Sequence, residues 1–360
     1  MKTDFLPGEV RRRVVQTKRL RTAYLEAGTG TTWLVLLHRN VVSSRFFEDF
    51  MVALAGAGPY RVYAPDMRGF GESDPLPVDA ARGVRDFSDD LAAFTDALGL
   101  SSFHLLGWSL GGNVAMQFAI DYSGRLGSLL LEATGSPFGL LGTRDEKGTP
   151  TWPDYAGSGG GTVSARFVAS LAQKDRSDHP TAPRSVMNRF YFKPPFRLPP
   201  AREEHYLNAF LITRIGPQNY PGDSTVSPNW PHVSPGTEGV LNAFSPKYLN
   251  QWSLVYLRQK PPILWLHGTN DQVVADESAL DLAVQGKAGL VPGWPGEELY
   301  PPQPMKRQIR RLLEQYRQNG GVYREVILTD CGHTPHLEQP GQVLKHVMAF
   351  LTDALEDRPI

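Results

Sequence analysis

The sequence predicts an α/β fold, a mostly parallel central sheet flanked by helices, on three observations. Short apolar runs alternate with helical stretches, the pattern of parallel strands joined by right-handed crossovers. Residues 32–37 are a continuous apolar run, as a strand covered on both faces is, and residues 126–133 read as a further buried strand. The rhythm stops near residue 135 and resumes near residue 261. The expected organisation is therefore a core of residues 1–134 and 261–360, interrupted by a mainly helical insertion over residues 135–260.

Each element has a local reason. Arg11-Arg12-Arg13 reads as the solvated face of an early strand, and residues 20–27 alternate before stopping at Gly28-Thr29-Gly30. The strand at 32–37 runs into His38-Arg39-Asn40. Residues 46–55 have helical spacing and stop at Gly56, and the strand at 61–64 delivers Asp66-Met67-Arg68-Gly69-Phe70-Gly71-Glu72-Ser73. Residues 87–98 form an amphipathic helix, with Ser88 as its expected cap and Gly99 as its stop. Within 135–260 the helix candidates are 162–173, 202–213 and 246–259, no alternating strands are expected, and Ser158-Gly159-Gly160-Gly161 reads as a flexible loop. Afterwards come a strand at 262–266, a Pro-rich interruption at 292–304, a helix at 305–318, a strand at 322–329 and a closing helix through Phe350.

Composition narrows the classes. A hydrophobic fraction of 41% supports a substantial core, and 37 basic against 37 acidic side chains point to neither nucleic acid nor an anionic membrane surface. A single cysteine, Cys331, excludes an internal disulfide framework and fits a reducing compartment. Met1-Lys2-Thr3-Asp4-Phe5 lacks the apolar core of a signal peptide, and no apolar run is long enough to span a bilayer. The expectation is a cytoplasmic monomer or homodimer with no membrane insertion.

The chemistry is concentrated at Gly107-Trp108-Ser109-Leu110-Gly111, where an apolar strand breaks into a helical segment. A Gly-x-Ser-x-Gly turn between a strand and a helix holds the serine in a strained conformation with its hydroxyl projecting. Its glycines sit where side chains would collide. The N–H of Leu110, at the helix start, is left free to bind a developing negative charge. A serine hydroxyl needs a base within reach, and the base needs an orienting carboxylate. Ser109, Asp271 and His333 each directly follow an expected strand, which puts all three at the carboxyl edge of the sheet.

These segments resemble the α/β-hydrolase superfamily, in its cap-bearing branch. The resemblance rests on the elbow, on His267-Gly268-x-x-Asp271-x-x-Val274 as the acid loop, on Gly332-His333-x-Pro335-His336-x-Glu338-x-Pro340 as the histidine loop, and on the Asp66–Ser73 turn. It covers the sheet and leaves the insertion unmatched. It implies Ser109 as nucleophile, His333 as base, Asp271 as the acid, the N–H groups of Leu110 and Asn40 as the oxyanion hole, residues 135–260 as a cap, and no cofactor. Glu132 is a rival acid and His336 a rival base, with His336 expected to be structural, while His104 reads as a satisfied core histidine. Cys331-x-His333-x-x-His336 suggests a metal site only superficially, and no metal is expected.

Where the family has glycine, this chain has Arg39. The arginine is expected to bring backbone strain to the loop and to point to solvent. Arg39, Trp108, Phe190, Phe192 and Trp230 are candidates for the substrate pocket. The activity implied is cleavage of a carboxylic ester, lactone or amide through an acyl-enzyme. The alternatives are carbon–carbon bond hydrolysis or cofactor-free perhydrolysis on the same triad, or a non-catalytic ligand receptor.

Overall fold

The computed structural model describes residues 9–355; the start of the chain, read above as lacking a signal peptide, lies outside the described residues. Eight strands form one sheet: β1 (Val10–Gln16), β2 (Arg21–Ala27), β3 (Thr32–Leu37), β4 (Tyr60–Pro65), β5 (Phe103–Trp108), β6 (Leu126–Glu132), β7 (Ile263–Gly268) and β8 (Tyr323–Leu328). Their order is β1-β2-β4-β3-β5-β6-β7-β8. The first two strands pair antiparallel, β2 joins β4 antiparallel, and every later pairing is parallel. The crossover at β3 and β4 leaves β5 in the middle of the sheet, covered on both faces, and all six of its residues are buried.

Helices pack on both faces: α1 (Glu48–Gly56), α2 (Arg85–Ala97) and α3 (Leu110–Tyr122) before the insertion. Ser88 does not cap α2. The helix begins three residues earlier, and Ser88 is fully buried within it, its hydroxyl without a hydrogen-bond partner among the described residues. Gly99 does end the helix, in a left-handed conformation with φ +70°.

Residues 135–260 hold α4 (Ala165–Ala172), α5 (Pro183–Phe190) and α6 (Pro200–Leu211), near two of the expected helices and with α5 in addition. Two features depart from expectation. Short two-stranded pairings occur at Ile215–Gly216 with Tyr220–Pro221 and at Ser224–Val226 with Val233–Pro235. The helix expected at 246–259 shrinks to a single tight turn at Trp252–Tyr256. The reason is tertiary: buried Gln251 faces α3, donating to the Asn113 carbonyl at 2.7 Å and accepting from the Asn113 amide at 2.9 Å.

The run Ser158–Gly161 is not a loose loop. Ser158 is fully buried, the Gly160 N–H donates to Asn242 at 2.8 Å, and a side chain on Gly161 would collide with Val233. Glycine is used there for close approach. After the insertion, α7 (Met305–Gln318) and α8 (Pro340–Leu355) complete the layers.

Candidate active site

β5 ends at Trp108, and Ser109 takes φ 57° and ψ −118° before α3 begins at Leu110. A β-carbon on Gly107 would overlap the carbonyl of Gly111, and one on Gly111 would overlap the carbonyl of Leu37. Those two glycines therefore let the turn close and bring the start of α3 against the end of β3. The turn is fixed at both ends, by the Ser109 N–H donating to the Glu132 carbonyl and the Gly112 N–H donating to the Ser109 carbonyl, each at 2.8 Å. Leu110 opens α3, so its N–H has no acceptor within the helix.

Beyond β3, His38 organises the next loop. Its Nε2 accepts the Met67 N–H at 3.0 Å, which leaves Nδ1 to donate to the Arg39 carbonyl at 2.6 Å. Because the two ends of a trans peptide point in opposite directions, this bond turns the Asn40 N–H away from His38. The strain expected at Arg39 falls elsewhere. Arg39 has no positive φ, whereas Val41, a β-branched residue, has φ 59°.

His333 and Asp271 meet as expected. His333 Nδ1 lies 2.8 Å from Asp271 Oδ2, and both side chains are fully buried. The other carboxylate oxygen accepts the N–H groups of Val273 and Val274 at 2.8 and 2.9 Å. His333 Nε2 is buried without a hydrogen-bond partner among the described residues. Burial pulls the imidazole below its ordinary pKa, against the pull of Asp271, and the nearby Arg39 charge adds to the lowering. The Asp271 carboxyl is held below its usual range, with His333 and backbone N–H groups outweighing the cost of burial.

The rival pair is separate. Glu132 Oε1 accepts from His336 Nδ1 at 2.9 Å and from the His336 N–H at 2.8 Å, while His336 Nε2 faces the Phe46 carbonyl at 3.2 Å. Both ring nitrogens of His336 face acceptors, so neither is free to take a proton from Ser109. His104 sits inside β5 against Ser128 at 2.7 Å, and burial drops its pKa to about 4.

A cavity of about 520 Å³ opens beside this edge. Its wall includes Arg39 and Asn40, Phe190 and Tyr191 from the insertion, and Val273 behind Asp271. Three candidates for the pocket are placed elsewhere. Trp108 is fully buried and donates its indole N–H to the His333 carbonyl at 2.7 Å; it supports the histidine loop from below. Phe192 packs on Phe196 in the core, and Trp230 packs edge-on against Tyr300 in a second small cluster, its N–H on the Pro292 carbonyl at 2.9 Å. An aromatic's type does not say which side it faces.

Arg39 also reverses expectation. It turns inward, is 5% exposed, and lays its guanidinium carbon 3.6 Å from the Tyr191 ring centroid. A cation over an aromatic face offsets part of the cost of leaving water. Two further positioning residues had no signal strong enough to single them out. Tyr191 accepts the His333 N–H at 3.1 Å through its carbonyl. Glu338 gathers the N–H groups of Gly332, Thr334 and Lys193 on one carboxylate. The Pro-His-x-Glu spacing contained Glu338, but nothing in it indicated three amide donors.

The chain belongs to the α/β hydrolase fold family, whose model matches residues 32–291. It is 38% identical over 120 residues to a 2-hydroxy-6-oxononadienedioate/2-hydroxy-6-oxononatrienedioate hydrolase of Burkholderia vietnamiensis, a match covering 32% of this chain and 41% of that protein. It is 37% identical over 123 residues to a pimeloyl-[acyl-carrier protein] methyl ester esterase of Aeromonas hydrophila, covering 34% of this chain and 42% of the relative. The matched stretches thus span about two-fifths of these relatives. Among solved structures, carboxylesterase CesB from Bacillus subtilis superposes with a TM-score of 0.59 at 18% identity, over 96% of this chain and 93% of its own. That likeness concerns the fold alone. No helix among the described residues is long and apolar enough to cross a membrane.

Proposed function

We propose that this chain is a serine hydrolase that cleaves a carboxylic ester through an acyl-enzyme. The observation that carries this reading is the His333–Asp271 pair at 2.8 Å, with the remaining ring nitrogen unpartnered at the sheet edge where Ser109 sits on its strained turn. In this reading His333 Nε2 removes the Ser109 proton as the oxygen attacks the carbonyl carbon. The N–H groups of Leu110 and Asn40 take up the charge on the carbonyl oxygen. His333 returns the proton to the leaving alcohol. Water, deprotonated by the same nitrogen, then releases the acid. Residues 135–260 act as the cap, since Leu140, Phe167, Phe190, Tyr191, Tyr220 and Leu241 all wall the cavity that Arg39, Asn40 and Val273 also line. The serine excludes mechanisms that need an aspartate nucleophile at that position.

A second reading has its own support. The Burkholderia relative is named for a dienedioate substrate, which favours carbon–carbon bond hydrolysis on the same residues. Two experiments test these readings. A fluorophosphonate should label the wild type and fail to label Ser109→Ala, with thermal unfolding nearly unchanged; labelling that survives the substitution would remove Ser109 from the mechanism. Turnover of 4-nitrophenyl butyrate against that of a 2-hydroxy-6-oxodienoic acid then separates the ester from the carbon–carbon reading.

A further inference from the structure

Arg39 presents a problem that the proposed mechanism does not use. An arginine stays protonated even when burial lowers its pKa, as it does here. Yet among the described residues the Nε and Nη1 groups of Arg39 are buried without hydrogen-bond partners, and its Nη2 reaches the Asn40 side-chain oxygen at 3.3 Å. Buried cations are normally paired.

Among the described residues no carboxylate pairs directly with the guanidinium; the Asp271 charge acts on it only through space. Tyr191 and Tyr220, which flank the guanidinium, are buried, and burial pushes both phenols up, Tyr191 to about 12, so both are neutral near pH 7. Asp271 directs its hydrogen bonds to His333 and two backbone N–H groups, so it pairs with the imidazole and not with Arg39. The cavity wall contains no Asp or Glu, and Arg189, an exposed side chain, adds a second cation to it. The rest of the wall is largely apolar, with Leu140, Val163, Phe167, Phe190 and Leu241.

Geometry selects the partner. The guanidinium carbon sits over the Tyr191 ring, and Arg39 forms part of the cavity wall. A guanidinium gives a carboxylate two parallel bonds along the edge that Nη2 shares with Nε or with Nη1, and each of those edges here has an unpartnered group among the described residues. We propose that Arg39 is a carboxylate-binding residue, and that the substrate is an apolar acid derivative whose free carboxylate pairs with the guanidinium edge while its hydrocarbon part fills the cavity. This rests on the reading of Ser109 as nucleophile. Arg39 directly precedes Asn40, so the anchored carboxylate belongs on the acyl side, near the carbonyl being attacked.

The test compares mono-4-nitrophenyl adipate, which carries a free carboxylate, with its neutral methyl diester. The wild type should favour the anion in kcat/KM by about ten-fold or more. Arg39→Gln should erase that ratio, and Arg39→Lys, which keeps charge without the fork, should restore part of it. A ratio unchanged in Arg39→Gln, or a wild-type preference for the diester, would overturn the proposal. Binding is read independently of turnover: adipate should bind Ser109→Ala protein in calorimetry and fail to bind when Arg39→Gln is added. If no ester is turned over but this Arg39-dependent binding holds, the nucleophile reading falls and the anion site stands. Adipate binding that ignores Arg39, or its absence from both proteins, sinks the anion site.

Discussion

Two imidazoles three residues apart each lie against a carboxylate, and the proposed mechanism asks only one of them to move protons. His333 gives Nδ1 to Asp271 and keeps Nε2 unpartnered, whereas His336 has Glu132 on one nitrogen and the Phe46 carbonyl on the other. Composition and burial are nearly the same for the two pairs. What separates them is the second nitrogen. A carboxylate beside a histidine orients the ring in either case, and proton transfer needs the far side of the ring left open. The His336 pair instead ties the histidine loop to β6 and to the turn before α1, and so holds the level at which His333 stands.

The largest test of that distinction is to truncate each ring. His333→Ala should lower kcat on an ester by at least about 10³-fold, as members of a catalytic unit do. His336→Ala should leave kcat of the folded protein within about ten-fold, and should cost roughly 1–3 kcal/mol in denaturant unfolding, since buried Glu132 loses the ring N–H and keeps only the backbone N–H of residue 336. If His336→Ala were the inactive variant, the roles would have to be exchanged. The next effect in size concerns the carboxylates. Asp271→Asn keeps an oxygen for Val273 and Val274 but turns a donor toward His333 Nδ1. That puts the ring proton on Nε2, where a base needs a lone pair, and the expected loss is about 10³–10⁴-fold in kcat. Glu132→Gln retains an acceptor for His336 and should cost far less activity. Equal losses in steady-state assays of the two variants would abolish the contrast.

The sheet and the elements of this contrast were legible in the sequence because each is local. An apolar run that breaks at Gly107 or at Gly332 marks a strand end and its loop together, and close backbone approach needs glycine there. What the sequence did not disclose depends on facing. Trp108, Phe192 and Trp230 have the right chemistry for a pocket wall, but Trp108 is held against the histidine loop, Phe192 packs on Phe196 and Trp230 packs in the second cluster. Glycine content misleads in the same way: the run Gly159-Gly160-Gly161 reads as slack and is close-packed. Arg39 was visible as a departure, and its burial cost argued for an outward side chain. Only the placement of Tyr191, more than a hundred residues later in the chain, supplies the aromatic face that lets it turn in.

The smallest effect joins the two themes. A base must be neutral to act, so kcat/KM on a neutral ester should rise with pH and level off above the pKa of free His333. Burial places that midpoint below the ordinary histidine value of 6.5. The Arg39 charge pushes it in the same direction by disfavouring a second cation nearby, while the Asp271 carboxylate opposes both. Removing the charge in Arg39→Gln leaves burial and Asp271 in place. The midpoint should therefore move up, toward 6.5, whatever happens to the height of the plateau. Reading the midpoint separates this electrostatic role from substrate binding, because a neutral ester has no carboxylate for Arg39 to hold. A midpoint that stays fixed in Arg39→Gln, or one that falls, would mean that the guanidinium is too well screened from His333 to set the strength of its base.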